Sequence, residues 1–155
     1  MIEIIKVVAS LWLATVVHEG GHIVTANMVG GSVYDVKLYP NNGHFATVYI
    51  DNKTAENPLV IAGGIMASNL SLPAISWAKE KYPEQTFFNY WDFWARMDFP
   101  VNAISSIWDN NNDTSKFCDN TGIPKAVPIA LSLVYIKVNK NVFISNGKIC
   151  FKKAF

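Results

Sequence analysis

The sequence predicts a mainly α-helical, membrane-embedded single domain over residues 1–155. We expect three to four apolar helices, a β-hairpin between the first two, and a small carboxyl-terminal β-meander. Half of the residues are hydrophobic and only 16% are charged, against about 25% charged residues in soluble domains. Pro58 to Ala78 contains no charged side chain, and between Lys6 and Asp35 the only ionisable side chains are His18, Glu19 and His22. Both segments are long enough to cross a hydrocarbon layer of roughly 30 Å.

The first predicted helix follows Lys6. Its apolar run from Val7 to Val17 resembles a secretory signal, but no small-residue cleavage site follows it. We therefore expect the segment to be retained. Gly20 and Gly21 each disfavour a helix by roughly 1 kcal/mol relative to Ala, which indicates either close approach of another backbone or of substrate, or small-residue packing between helices.

Two regions have strand character. Ser32 to Tyr39 and His44 to Ile50 are rich in β-branched and aromatic residues and flank a turn at Asn41 to Gly43. We interpret them as the hairpin, with His44 on its surface. Near the carboxyl end, three short segments separated by Asn- and Gly-containing turns predict the meander: Val134–Val138, Val142–Ser145 and Lys148–Phe151.

The later apolar segments differ in length and charge. Pro58 to Ala78 is the clearest membrane span. Phe87 to Trp108 is aromatic-rich, as in an interfacial belt, but contains Asp92, Arg96 and Asp98, so we expect it to enter a membrane obliquely or to begin at its surface. The apolar segment from Ala126 to Ile136 is only 11 residues long, a length typical of a buried or interfacial segment.

The overall charge excludes one class of partner. Thirteen Lys and Arg residues nearly balance twelve Asp and Glu residues, so no basic surface for nucleic acid is predicted. The basic residues are also spread too evenly to orient the chain in a membrane.

The HEGGH sequence at His18 to His22 contains the candidate metal-binding and catalytic residues. Histidines four residues apart share one helix face, so both imidazoles can reach a single metal ion. A zinc ion lowers the pKa of its bound water, and a neighbouring carboxylate such as Glu19 accepts the proton as water attacks a polarised carbonyl. A chance match or a purely structural cluster are the alternatives. The second is costly, because an ionisable group in an apolar segment needs a strong partner.

A catalytic zinc ion usually has three protein ligands. The extended HExxHxxGxxH pattern is absent, because Thr25 and Met28 occupy the positions that would need Gly and His. A distal Glu ligand would have to be Glu56, Glu80 or Glu84, none of which lies in a convincing amphipathic helix.

The chain resembles a short member of the site-two protease (M50) family of intramembrane zinc metalloproteases. Three motifs carry the resemblance in order: HEGGH in the first apolar segment, AGGIMASNL from Ala62 to Leu70, and WDNNNDTSKFCDNTGIP from Trp108 to Pro124. In that family an Asp on a later segment completes the zinc site, and a Gly-plus-Asn motif is thought to hold the substrate backbone.

The resemblance implies that His18 and His22 bind Zn²⁺, that Glu19 is the general base and that Asp113 is the third ligand. The family's Leu-Asp-Gly sequence is absent here. Asp113 is preferred for its distance to Thr121–Pro124, with Asp109 as the alternative and helix capping as an ordinary role for either.

Asn69 is the substrate-binding residue that the resemblance implies. It lies five positions after Gly64, whereas Ser68 has the four-residue spacing. Hydrogen bonding between helices is the alternative role for this amide.

The resemblance therefore implies an integral membrane zinc endopeptidase that acts on membrane-spanning or membrane-associated polypeptides. Two other interpretations of the sequence remain. The chain could be a soluble zincin whose apolar runs form its core, or a non-catalytic membrane protein that keeps the motif to bind a metal or a partner.

Overall fold

The computed structural model describes residues 1–39, 45–139, 142–145 and 148–151, with the backbone alone in the last two ranges. The predicted mainly helical fold is confirmed. The elements are, in chain order, α1 (Ile2–Met28), β1 (Val33–Lys37), β2 (Thr47–Ile50), α2 (Asn52–Ala55), α3 (Pro58–Lys81), α4 (Thr86–Ser105), α5 (Asp113–Thr121), α6 (Ala126–Val138), β3 (Val142–Ser145) and β4 (Lys148–Phe151).

Side-chain caps define where two helices begin. At α3 the Asn57 side chain accepts a hydrogen bond from the Leu59 amide at 2.9 Å, and Pro58 occupies the first turn, where its missing N–H costs nothing. At α5 the Asn112 side chain accepts from the Ser115 amide at 2.8 Å. The second cap fixes the position of Asp113, the first residue of α5.

Helices α1, α3 and α4 pack on one another and form the centre of the molecule. Their contact surfaces carry small residues, so the backbones approach closely. A Cβ on Gly21 would collide with the backbone of Gly63, and a Cβ on Gly63 would collide with Thr25 Oγ1. Gly20 has no atom near the corresponding position, so the close-approach explanation applies to Gly21 alone.

The predicted hairpin is confirmed as an antiparallel pair of β1 and β2, in which Val36 pairs with Val48. Its base is tied to α2 by Asp51, whose carboxylate accepts hydrogen bonds from the amides of Ser32 at 2.9 Å and Thr54 at 3.0 Å. The predicted turn at Asn41 to Gly43 and His44 lie outside the described residues.

The predicted three-stranded meander is wrong in its first strand. Val134 to Val138 is the carboxyl-terminal part of α6, and β3 pairs with β4 alone in the described residues. The helix continues without a break up to Val138, so context outweighs the strand preference of its β-branched residues. Asn139 accepts a hydrogen bond from Arg96 Nη1 of α4 at 2.7 Å, which anchors the end of α6.

The predicted membrane spans correspond to helices. Among the described residues, Pro58–Lys81 is the one helix that is long and apolar enough to cross a bilayer by the length and composition criterion, a criterion that core helices of soluble proteins also meet. Phe87 to Trp108 corresponds mainly to α4, and the 13-residue α6 is shorter than a span. Membrane embedding and the number of spans stay predictions.

Candidate metal centre

The two histidines of HEGGH face the same point. Because they lie four residues apart on α1, their rings are on one face of the helix, and the two Nε2 atoms are 3.1 Å apart. The ring planes meet nearly edge to face, at 72°. This side of α1 faces the amino-terminal half of α3.

Asp113 joins these nitrogens from α5. Its Oδ2 atom lies 2.8 Å from His18 Nε2 and 3.3 Å from His22 Nε2. Among the described residues, His18, His22 and Asp113 form the one group of three side chains arranged to hold a metal ion. Asp109 instead accepts a hydrogen bond from the Asn111 amide at 2.8 Å. The structure thus brings Asp113, rather than Asp109, to the histidine pair.

The outer nitrogen of each ring has its own acceptor. His18 Nδ1 lies 2.7 Å from Asp98 Oδ2 of α4, and His22 Nδ1 lies 2.7 Å from the carbonyl oxygen of Val60 on α3. These acceptors favour a proton on both Nδ1 atoms, which leaves both Nε2 atoms with free lone pairs. Histidine ligands of metals are held in this way by carboxylates and carbonyls behind them.

The donor set fits a zinc ion. With their protons on Nδ1, the two Nε2 atoms and Asp113 Oδ2 are three acceptors separated by 2.8, 3.1 and 3.3 Å. One proton cannot satisfy all three contacts, whereas one divalent cation can. Zinc bonds of about 2.0–2.2 Å to nitrogen and oxygen place the ligands of a tetrahedral site roughly 3.3 Å apart, close to the separations found here.

The absence of a side chain at Gly64 lets the His18 ring lie against α3. A Cβ on Gly64 would lie 2.6 Å from His18 Cε1 and would also collide with Nε2 and Cδ2. Any side chain at this position would therefore displace the ring. The Gly-Gly pair at 63 and 64 thus serves two purposes, since Gly63 receives the α1 backbone and Gly64 receives the imidazole.

Glu19 lies beside the histidines without belonging to the donor group. Its carboxylate is hydrogen-bonded by the backbone of Val48 in β2, and it lines a cavity of about 620 Å³ together with His18, His22 and Asp113. Residues 47–50 of the hairpin form one wall of this cavity. A carboxylate next to the metal-binding group and open to this cavity can exchange a proton with a molecule bound there.

The environment of Asp113 favours its ionised form. Burial acts to raise the pKa of this carboxyl, but in the metal-free protein hydrogen bonds from His18 and His22, when their rings also carry a proton on Nε2, outweigh burial and hold the pKa well below its usual range. The charged carboxylate is the form that binds a metal.

Asn69 makes contacts within the helix bundle. Its Nδ2 donates to the carbonyl of Ile65 at 2.9 Å, and its Oδ1 accepts from the Tyr135 hydroxyl of α6 at 2.9 Å. These contacts match the helix-to-helix role. Ser68, rather than Asn69, lines a cavity of about 290 Å³ beside His18 and Glu19. Binding of substrate by Asn69 stays a prediction.

Asp98 is the site residue that the sequence analysis missed. It accepts from His18 Nδ1, and its Oδ1 accepts from Asn102 Nδ2 at 3.0 Å. A signal was present, because Asp98 directly precedes the uncharged stretch Phe99 to Trp108. A carboxylate at the edge of an apolar segment needs a strong partner, and His18 is that partner.

Comparison with protein families agrees with this geometry. The family model described as Peptidase M50B-like matches residues 4–97, which is more than half of the chain and includes HEGGH, the hairpin and α3. Neither the curated proteins nor the solved structures include a significant match. The chain belongs to the M50 site-two protease family, as a Peptidase M50B-like member.

Proposed function

We propose that this chain is a zinc-dependent endopeptidase that cleaves membrane-spanning or membrane-associated polypeptides. Membership in the family suggests a protease. The single observation that supports the finer statement is the group of His18, His22 and Asp113, whose three donor atoms converge beside the Glu19 carboxylate. This is the ligand set and the base that zinc-assisted peptide hydrolysis requires.

Each residue of the site has its own role in the proposed hydrolysis. His18, His22 and Asp113 would hold the Zn²⁺ ion, which when bound makes a water molecule more acidic and polarises the carbonyl of a peptide bond. Glu19 accepts the proton of the attacking water and passes it to the leaving amine. Asp98 and the Val60 carbonyl keep the two imidazoles in the orientation and tautomer needed for binding.

The distribution of side chains supports placement in a membrane. The buried positions of the bundle are occupied mostly by Ala, Gly and Ser, whereas many of its large aliphatic and aromatic side chains are exposed. Leu70 and Trp77 of α3, for example, are 76% and 58% exposed, while Ser68 of the same helix is buried. Small residues between helices and large apolar residues outside are typical of membrane bundles, and large exposed apolar surfaces are rare on soluble monomers.

Replacing the proposed base tests this function. In detergent or bicelles, Glu19→Gln is expected to bind zinc as the wild type does and to lose at least about 100-fold in the rate of peptide cleavage, since positioned proton transfer contributes about this much. Glu80→Gln, on an exposed residue of α3, is the matched control and should cleave at the wild-type rate.

Metal analysis separates the alternatives. Asp113→Ala is expected to lose bound zinc, whereas Asp109→Ala should retain it. Zinc binding with no proteolysis by the wild type would support the non-catalytic metal-binding protein. A monomer that stays soluble without detergent would support the soluble zincin. Equal cleavage by wild type and Glu19→Gln would refute the proposed mechanism.

A further inference from the structure

A third cavity begins at the metal-binding group and extends away from the hairpin. It has a volume of about 250 Å³, lies between α3, α5 and α6, and shares Asp113 and Ile61 with the 620 Å³ cavity that contains Glu19. Asp113 therefore borders both the cavity that contains Glu19, whose lining mixes polar and apolar side chains, and this cavity.

This third cavity is apolar. Apart from Asp113 and Thr114 at its inner end, every lining side chain is hydrocarbon, aromatic, proline or thioether. Ile61 at the inner end is buried, whereas Met66 and Leu131 are 44% and 56% exposed and form its outer rim. An apolar cavity of about 150 Å³ already accommodates a benzene molecule, so this one is large enough for a leucine or phenylalanine side chain.

One wall of the cavity is held in place from outside. Phe99 lines the cavity and packs edge to face against Tyr135, with ring centroids 5.9 Å apart. The Tyr135 hydroxyl in turn donates to Asn69 Oδ1. Asn69 is thus connected to the cavity through two aromatic rings, which makes it a positioning residue for this wall.

We propose that this cavity binds one large apolar side chain of the polypeptide substrate, close to the peptide bond that is cleaved. The inference rests on the proposed function. It follows from continuity, because a residue whose carbonyl is next to Asp113 has its side chain within reach of a cavity that Asp113 borders. A polar side chain placed there would lose its water without gaining a hydrogen-bond partner from the apolar walls.

Filling the cavity tests the inference. Val127 lines the cavity and is 44% exposed, whereas Leu133, on the same helix and 58% exposed, is outside the lining. Val127→Trp should fill the space and Leu133→Trp should not. The probes are short peptides of Ala and Ser in which a single Phe is moved along the sequence, compared with the same peptides carrying Ala.

Binding is measured on the Glu19→Gln protein and cleavage on the Glu19 protein, each with and without the tryptophan substitution. With no tryptophan added, we expect Phe at one position to improve both by at least about tenfold over Ala, as burial of an aromatic side chain predicts. Val127→Trp should reduce this preference to less than twofold while leaving the Ala peptides unaffected, and Leu133→Trp should preserve it. Leu131→Phe, a smaller change at the rim, provides the same test if Val127→Trp does not fold.

The outcomes are distinguishable. Peptide binding with a Phe preference that Val127→Trp removes, but with no cleavage by the wild type, would refute the proposed function and support the cavity. Cleavage without any Phe preference, or with a preference that survives both filling variants, would overturn the inference. Loss of the preference on adding a long-chain alkyl phospholipid, with Val127→Trp abolishing binding of that lipid, would assign the cavity to a lipid chain and also overturn it.

Discussion

Gly64 of α3 lies against the His18 imidazole, and adding one methyl group there tests the geometry of the metal centre. A Cβ on Gly64 would be 2.6 Å from His18 Cε1, whereas ordinary van der Waals contact begins at 3.4 Å. The ring must therefore retreat by at least about 0.8 Å. The α1 backbone cannot follow it outward without losing its contact with Gly63.

A shift of this size is large relative to the 2.8 Å and 3.1 Å separations of the ligand atoms. Errors of about 1 Å at an active site cost roughly 100-fold in rate, and disturbing the shell that orients a ligand costs about 10–100-fold in metal affinity. Overpacking of the helix contact adds about 1–3 kcal/mol of destabilisation. We therefore expect Gly64→Ala to weaken zinc binding by at least about tenfold and cleavage by about 100-fold.

Zinc affinity is measured by competition with a chelator of known affinity, and folding by thermal melting of the same samples. Gly20→Ala is the matched control, because no atom lies within 4 Å of its added Cβ. It should bind zinc normally and be slightly more stable, since Ala is a better helix former by roughly 1 kcal/mol. A zinc affinity of Gly64→Ala within twofold of the wild type would show that the ring is not held against α3 as described.

Two further predictions concern the carboxylates of α4. Asp98→Leu should weaken zinc binding by about 10–100-fold, because His18 Nδ1 loses its acceptor. Asp98→Asn keeps an acceptor oxygen and should lose less zinc affinity. Equal affinity of both variants and the wild type in chelator competition would contradict a positioning role. Asp92→Ala should destabilise the fold by roughly 3–5 kcal/mol, because Asp92 is buried and pairs with Lys79 and Arg96, each at 2.9 Å. Chemical or thermal unfolding checks this, with the exposed Asp119→Ala as a control that should unfold like the wild type.

The features that the sequence predicted well are those set by local spacing. The four-residue separation of His18 and His22 places both rings on one helix face wherever the helix lies. The strand character on both sides of Asn41 predicted the hairpin, and the uncharged run from Pro58 predicted a long helix. In each case the interactions lie within one helix or between two strands that follow one another along the chain.

The features that the sequence did not predict depend on packing between distant segments. Val134 to Val138 has strand-forming residues, yet it continues α6, because nothing interrupts that helix before Asn139 and Arg96 binds the end. The choice between Asp113 and Asp109 also required the structure. Asn112 caps α5, so Asp113 begins the helix with its side chain towards the histidines, while Asp109 bonds the backbone of its own loop.

His18 shows why the family resemblance and the geometry support different parts of the site. Its two ring nitrogens contact Asp98 and Asp113, which are 80 and 95 residues further along the chain. The matched family region ends at residue 97, immediately before the first of them. The motif therefore identifies the two histidines and Glu19. The carboxylates that orient and complete the group are placed by the packing of α4 against α1 and of α5 against α3. Since both carboxylates meet a single imidazole, a shift of either helix would disturb the same ligand, and zinc affinity is the measurement most sensitive to that packing.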